Sequence, residues 1–225
     1  MDSKLELDIR RKYSEIYPEL DALALWVRNT LSELCFHDRH LYNYKIRIKE
    51  IDSLLKKVDH LIKSGERINT VEQVIDSIND LVGSRIILFF PSKLLPLHTT
   101  LINFQRVKVK KVTVHYQAGF TGPVIQDVIN DIGVREIELE EAINKTGYTG
   151  VHYVFAPYPV DAYYHSDKKL MFEKFELQVR TILQEAWSEV QHAVIYKGES
   201  RPDYDHALIL LGQFSTLAKS LNDSD

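Results

Sequence analysis

Residues 172–197, FEKFELQVRTILQEAWSEVQHAVIYK, join a predicted strand to a predicted helix and decide how the chain folds. In the first part, apolar residues alternate with an acid, an amide and a guanidinium, at Glu176, Gln178 and Arg180. This period of two predicts a strand with one apolar and one polar face. After Thr181, apolar residues recur at helical spacing, which predicts an amphipathic helix. Three different functional groups on one strand face indicate a site, but they do not identify a reaction.

The composition is that of a soluble globular protein. The chain has 225 residues, 44% of them hydrophobic and 27% charged, which is enough for one domain with helical additions. Its net charge of −4 gives no general electrostatic footprint for nucleic acid, although a local basic patch stays open. The single cysteine, Cys35, fits a reducing compartment, and no apolar run approaches the ~20 residues of a membrane span. We therefore expect a cytoplasmic protein without a membrane segment.

Helical patterns lie at both ends of the chain. Residues 4–36 carry an apolar stripe, and Pro18 is predicted to kink or divide this helix. Residues 204–221 form a last amphipathic pattern, which serves either the core or a subunit contact. The predicted parts are an N-terminal helical segment over 1–39, a central domain over 40–200 and a C-terminal helix over 201–225.

A group of cations is predicted where a strand gives way to a helix. Residues 41–49 alternate as a strand, and a helical pattern follows from Ile51. The polar side chains at this junction are Arg47, Lys49, Ser53 and Lys57. Cations near a helix N-terminus suit a polyphosphate, whereas an ordinary solvated face is the alternative.

Two further places carry candidate site residues. Asp80 precedes a continuous apolar run with Arg85 near its start, which predicts a strand buried on both faces. An acid here is either a turn residue or a magnesium ligand, because magnesium bound to a nucleotide uses one or two carboxylates plus phosphate oxygens. Tyr148 lies between two glycines, where it either stacks on a nucleobase or occupies a surface turn. His152 follows on a strand, as a site residue or a structural hydrogen-bonding group.

Four sequence blocks follow one another in a characteristic order. They are RIKEIDSLLKK (47–57), DLVGSRI (80–86), GYTGVH (147–152) and FELQVRT…W…H…YK (175–197). Each is weak alone, but together they resemble the synthetase domain of the RelA/SpoT family, the (p)ppGpp synthetases, and particularly its small single-domain members. The resemblance covers roughly residues 40–200. It implies an α+β fold: a nucleotidyltransferase-like mixed β-sheet of about five strands, flanked by helices.

The resemblance also implies a reaction, the transfer of pyrophosphate from ATP to the ribose 3′-hydroxyl of GDP or GTP. By motif match, the ATP-binding residues would be Arg47, Lys49 and Lys57, with Ser53 in the same set and Arg85 nearby. Asp80 and Glu176 would bind Mg²⁺, and Glu176 would also draw the proton from the attacking hydroxyl. Tyr148 would stack on the acceptor base. The other residues assigned to the acceptor side are His152, Arg135, Lys145, Gln178, Arg180 and His192.

The acceptor half departs from the family pattern. In REIELEEAINKTGY, residues 135–148, Arg135 is kept, but Ile137 stands at the next lysine position and Lys145 only approximates the usual lysine. The segment contains four glutamates, which is unfavourable for a guanosine polyphosphate unless they lie on a solvated edge. Gly150 stands where a serine is common.

Three functions follow as alternatives. The first is a small alarmone synthetase that makes (p)ppGpp. The second is a toxic relative that uses the same chemistry on the 3′ end of tRNA. The third is an inactive module that binds a nucleotide or a protein, against which the intact Asp80 and Glu176 argue. As in other small members, the terminal helices could support a homo-oligomer, and a toxic member would have an antitoxin partner.

Overall fold

The computed structural model describes residues 1–35, 41–117, 122–135, 137–144, 148–158, 174–196 and 213. Its helices are α1 (Ser3–Cys35), α2 (Ile51–Lys63), α3 (Val71–Ser77), α4 (Leu94–Ile102), α5 (Pro123–Gly133) and α6 (Ile182–Tyr196), with a 3₁₀ turn at Pro91–Lys93. Its strands are β1 (Leu41–Ile48), β2 (Val82–Leu88), β3 (Val107–Gln117), β4 (Glu138–Asn144), β5 (Gly150–Pro157) and β6 (Phe175–Thr181).

The strands form one mixed sheet in the order β1-β2-β6-β5-β3-β4. β2 and β6 are parallel, as are β3 and β4, and the other neighbours are antiparallel. The predicted α+β class is confirmed, with six strands instead of about five. The additional strand is β4, with the sequence ELEEAIN, which lies at the edge of the sheet. Its side chains need little apolar character there, so its sequence alternates only weakly.

Cross-strand register gives the sheet one polar and one apolar face. Arg47 lies opposite Gly83, Gly83 opposite Glu176, and Glu176 opposite Val154. Because residues directly opposite one another share a face, the polar groups of four central strands and β1 point to the same side. The functional side chains on this face are Lys45, Arg47, Arg85, Glu176, Gln178, Arg180, His152, Thr113 and His115.

Helices α1 and α4 pack on the apolar face. The ring of Trp26 in α1 lies 6.0 Å from that of Phe175, centroid to centroid. In α4, Nδ1 of the buried His98 lies 2.8 Å from the hydroxyl of Tyr153. Residues of α1 and of the sheet belong to one hydrophobic core. The domain boundaries at 39 and 200 stay predictions.

Pro18 does not divide α1, so one of the two outcomes predicted from the sequence is wrong. The helix continues from Ser3 to Cys35, and Pro18 lies on its exposed side. The proline removes one backbone donor, but the buried face formed by residues such as Ile16 and Leu20 packs into the core on both sides of it. Tertiary packing therefore outweighs the local preference.

The junction between β6 and α6 has a local cause. Thr181 Oγ1 accepts a hydrogen bond from the Gln184 backbone N–H at 3.4 Å, and the Gln184 side chain accepts one from the Thr181 N–H at 2.8 Å. This reciprocal pair satisfies two donors at the start of the helix and fixes where the strand ends. Apart from Gln213, the predicted helix over 204–221 lies outside the described residues. Among the helices of the described part, none combines the length and apolarity that a membrane crossing requires.

Candidate active site

A cleft of about 470 Å³ opens on the polar face of the sheet. It is bounded by β1, β2 and β6 on the sheet side and reaches α6. Its lining residues include Lys45, Arg47, Gly83, Arg85, Glu176 and Gln178. Cations and a carboxylate therefore face one another across a space large enough for a small ligand.

Asp80 lies beside this cleft and is held by two lysines. Lys49 Nζ lies 2.5 Å from Oδ2, and Lys57 Nζ lies 2.8 Å from Oδ1. Burial by itself would raise the pKa of Asp80, but the charge of Lys57 and the hydrogen bonds from both lysines outweigh it and hold the pKa below its usual value. Asp80 is therefore ionised at neutral pH.

Gly83 lies beneath the side chain of Arg47. A Cβ atom at Gly83 would lie 3.7 Å from Nε and 3.8 Å from Cγ of Arg47, so the arginine stem runs across the glycine. Since Gly83 is also directly opposite Glu176, this glycine keeps the surface open between the cation and the carboxylate.

Glu185 on α6 binds two other cations of the cleft, Lys45 and Arg85. Nη1 of Arg85 lies 2.7 Å from each of its oxygens, and Lys45 Nζ lies 2.9 Å from Oε1. Arg180 Nη1 approaches Oε2 at 3.5 Å. One buried carboxylate thus joins cations from β1, β2 and β6.

Glu176 lies on the third strand of the six and has two polar neighbours. His152 Nδ1 lies 3.3 Å from Oε1, and Gln178 Nε2 donates to Oε2 at 3.1 Å. Burial would raise the pKa of Glu176, but the hydrogen bond and charge of His152 lower it to below its usual value. A carboxylate that is ionised and partly buried can accept a proton from a ligand hydroxyl.

Tyr148 and Arg180 form the other end of the cluster. The Tyr148 hydroxyl lies 2.8 Å from His152 Nε2, and the Arg180 guanidinium lies over the tyrosine ring at 5.0 Å from its centroid. Gly150 permits this placement, because a Cβ atom there would lie only 2.9 Å from the Tyr148 hydroxyl oxygen. The glycine at the position where a serine is common therefore has a steric role in this chain.

These contacts form one continuous hydrogen-bonded chain. Arg180 Nη2 donates to Gln178 Oε1 at 2.6 Å, and Gln178 in turn contacts Glu176. In order, the chain runs through Lys45 and Arg85, Glu185, Arg180, Gln178, Glu176, His152 and Tyr148. The cations of the cleft and the tyrosine are thereby connected through the carboxylate of Glu176.

His115 on β3 extends the cluster beyond His152. The two imidazole centroids are 4.2 Å apart, and burial, together with the charge of His152, lowers the pKa of His115 to about 4. Farther along β3, Lys111 is paired with Glu138 at 3.0 Å and with Glu140 at 2.7 Å. These glutamates are exposed on the edge strand β4, so much of the acidic segment lies on a solvated edge.

The structure brings together most, but not all, of the predicted site residues. Arg135 is not among them: it follows α5 and pairs with Asp131, which contacts His98 beneath the opposite face. Ser53 lies exposed in the first turn of α2, one turn before Lys57. Lys145 and the side chain of His192 lie outside the described residues.

Three members of the cluster were missed by the sequence analysis: Lys45, Glu185 and His115. Lys45 could have been found, because it precedes Arg47 by two residues and so shares its strand face. His115 was obscured by a β-bulge between Val109 and Lys111, which reverses the alternation in the middle of β3. In the sequence, this bulge coincides with two consecutive lysines, Lys110 and Lys111, which interrupt the alternation. Glu185 has no local signal, since only the path of α6 brings it to the cations.

Asp80 and Glu176 are chemically suited to magnesium. Both are ionised oxygen ligands beside the same cleft, and the charge of Asp80 acts on Glu176. Within the described ranges, no group of three or more histidine, cysteine or acidic side chains is arranged to hold a metal ion. A pair of carboxylates fits an ion whose other ligands come from phosphate oxygens and water.

Comparison with known proteins shows which proteins this chain resembles. A search among curated proteins found no match. Among solved structures, the chain is similar to the small alarmone synthetase 2 from Bacillus subtilis. The identity is 20% and the TM-score is 0.57, and the match covers 96% of this chain and 95% of that one. The small alarmone synthetase 1 of the same organism has 18% identity and a TM-score of 0.57 over 95% and 92% of the two chains.

Further matches agree on the fold. A GTP pyrophosphokinase family protein from Streptococcus pneumoniae has 15% identity and a TM-score of 0.59, over 99% of this chain and 91% of that one. At identities this low, the structural similarity establishes a shared fold alone. The small alarmone synthetase 1 has also been solved with its product pppGpp and with AMPCPP. The family model described as the region found in RelA/SpoT proteins matches residues 46–201, most of the chain, and the protein therefore belongs to the RelA/SpoT family.

Proposed function

We propose that this protein transfers pyrophosphate from ATP to the ribose 3′-hydroxyl of GDP or GTP and so makes (p)ppGpp. The observation that carries the proposal is the position of Glu176, an ionised carboxylate between a cationic cleft and a tyrosine–histidine pair. Phosphoryl transfer needs neutralised phosphates, a positioned hydroxyl and a proton acceptor, and this arrangement supplies all three.

The donor half would bind ATP. Arg47 and Arg85 line the cleft, and Lys49 and Lys57 lie beside it on Asp80. Their charges would neutralise the triphosphate. Asp80 and Glu176 would hold Mg²⁺, which supplies further charge neutralisation on the phosphates when it is bound. The related small alarmone synthetase 1 binds AMPCPP, an ATP analogue, in agreement with a donor site of this kind.

The acceptor half would place the ribose at Glu176. Tyr148 would stack on the base, and His152 would hold the Glu176 carboxylate at 3.3 Å. Glu176 takes the proton of the 3′-hydroxyl, and the ribose oxygen attacks the β-phosphorus of ATP. The bond between that phosphorus and the bridging α–β oxygen breaks, and AMP leaves with the electron pair. The product carries a new diphosphate on its 3′-oxygen.

A second candidate keeps this chemistry and changes the acceptor to the 3′ end of tRNA. It is favoured by the pairing of Lys111 with two glutamates and by the distance of Arg135 from the cluster. Within the described residues, these pairings leave the acceptor half with little cationic surface for a 5′-polyphosphate. Lys108 and Lys110 are exposed on β3 and could contact an RNA backbone.

One experiment separates the candidates. Purified protein is incubated with Mg²⁺ and ATP labelled in the β-phosphate, and GDP, GTP and bulk tRNA are offered in parallel reactions. Label in GDP or GTP is the expected result, whereas label in tRNA alone would establish the second candidate. A protein that transfers no label to any acceptor and still binds ATP is a binding module.

A further inference from the structure

Glu185 has no assigned role in the proposed reaction, although it is the most connected acid of the cluster. We propose that Glu185 is a positioning residue that orients Arg85 and Lys45 for ATP. The inference rests on the proposed function, since it concerns the donor half of the same cleft. It adds a residue of α6 to the proposed ATP-binding residues of the donor half.

The geometry shows convergence on one carboxylate. Arg85 comes from β2 and Lys45 from β1, and both reach Glu185 within 3 Å. Arg180 from β6 lies at 3.5 Å and is also held by Ser188 Oγ at 2.8 Å. Glu185 is 7% exposed, so its charge depends on these cations for compensation. Burial would raise the pKa of Glu185, but hydrogen bonds from Lys45 and Arg85 outweigh this and lower it.

The contact with Arg85 uses only part of the guanidinium. Nη1 makes both bonds to Glu185 and a 3.3 Å contact with Glu189. A guanidinium carries five N–H donors in a planar fork, and in the described part of the chain Nη2 and Nε of Arg85 make no hydrogen bond. Glu185 therefore fixes one end of the fork while the other donors stay available on the side of the cleft that Arg85 lines.

The opposing interpretation is that Glu185 competes with ATP phosphates for the same cations. Burial favours positioning, because a carboxylate with little solvent access cannot move away when the ligand arrives. Without its charge, Arg85, Lys45 and Arg180 would repel one another, and their orientations would no longer be fixed. The two interpretations predict opposite changes in affinity when the charge is removed.

The test compares Glu185→Gln with Glu185→Asp. Affinity for AMPCPP is measured by titration calorimetry, and KM and kcat for ATP are measured in the transfer assay. In Glu185→Gln we expect the Kd for AMPCPP and the KM for ATP to rise roughly tenfold, the effect of losing one hydrogen bond to a charged group. The kcat should change less than about threefold, because Arg180 keeps its bonds to Gln178 and Ser188. Glu185→Asp should recover part of the affinity.

Glu189→Gln is the matched comparison. Glu189 contacts the same nitrogen of Arg85, but its side chain is 60% exposed, so the affinity should fall less than about threefold. A lower kcat at unchanged KM in Glu185→Gln would indicate a smaller folded fraction and overturn the inference. Tighter binding of AMPCPP would overturn it in favour of competition. A wild-type protein that binds no AMPCPP would instead refute the proposed function, and the inference would fall with it.

Discussion

Lys49 and Asp80 form a buried ion pair at the edge of the candidate cleft, with 2.5 Å between Nζ and Oδ2 and side chains only 8% and 9% exposed. The pair lies where β1 ends and β2 has not yet begun, and the backbone reinforces it: Lys49 N–H donates to Leu81 O, and Lys49 O accepts from the Tyr13 hydroxyl. Lys57 binds the other oxygen of Asp80, so the carboxylate is shared between two lysines. The carboxylate of Asp80 therefore contributes to the stability of the fold and also belongs to the candidate site.

Replacing Asp80 by Asn should reduce stability as well as activity. The change leaves the buried Lys49 charge without its counter-ion, which costs about 3–5 kcal/mol in comparable buried pairs. Urea unfolding of the ligand-free protein measures this loss. Glu15→Gln, which removes an exposed partner of Lys12, is the control and should leave the unfolding midpoint unchanged. Equal midpoints for wild type and Asp80→Asn would refute the structural part of the prediction.

Replacing Glu176 by Gln should abolish transfer while the protein stays folded. An amide keeps the hydrogen-bonding shape toward Gln178 but cannot take a proton, so kcat should fall by roughly 10²–10⁴. The measurement is release of AMP and labelling of the acceptor. Glu33→Gln changes an acid that pairs with Arg106 on the surface and should keep full activity. A Glu176→Gln protein with wild-type kcat would exclude Glu176 as the base.

Gly150→Ala should displace Tyr148 and weaken the acceptor site selectively. The new Cβ would lie 2.9 Å from the tyrosine hydroxyl and 3.3 Å from the Val179 carbonyl oxygen, so the side chain has to leave its position over His152. We expect the KM for the acceptor to rise about tenfold, with AMPCPP affinity unchanged. Gly133→Ala, at a helical glycine whose added Cβ meets open space, is the control and should behave as wild type. An unaffected acceptor KM in Gly150→Ala would mean that Tyr148 does not contact the acceptor.

Because of His115, the free energy of unfolding should be lower in mildly acidic than in neutral solution. Its pKa is about 4 in the folded protein against 6.5 for an ordinary histidine, so between these values the unfolded chain binds the proton more readily. The stabilisation is complete above pH 6.5 and is lost as the pH falls toward 4, by up to ~2 kcal/mol between pH 7 and pH 5. His115→Gln should remove this part of the pH dependence in urea unfolding at the two pH values. His60→Gln, on the exposed side of α2, should retain it.

Local sequence patterns predicted the central strand and helix because their causes are local. The alternation around Glu176 matches the buried and half-buried pattern of β6, and Thr181 ends the strand through its own bonds to Gln184. The capping pair of Thr70 and Gln73 at the start of α3 is equally local. In these places a few neighbouring residues contain all the information that the fold uses.

Other features depend on contacts that no short pattern contains. Pro18 favours a break, but the core that forms around α1 is a tertiary feature and prevails. The approach of Glu185 to Lys45 joins residues 140 positions apart, and Arg135 turns toward Asp131 because α5 packs on the opposite face. Motif matching could place groups on strands, yet only the register of the sheet decides which of them face one another.

The strand order fixes the distance between the two ends of the candidate site. Arg47 on β1 and His115 on β3 each stand two strands from Glu176 on β6, on opposite sides of it. At about 4.8 Å per strand, β1 and β3 are about 19 Å apart across the sheet, and β6 lies midway between them. In the proposed reaction, the width of five hydrogen-bonded strands would set how far apart donor and acceptor bind. Any relative of this fold with a strand added or lost between these groups would need substrates of a different length.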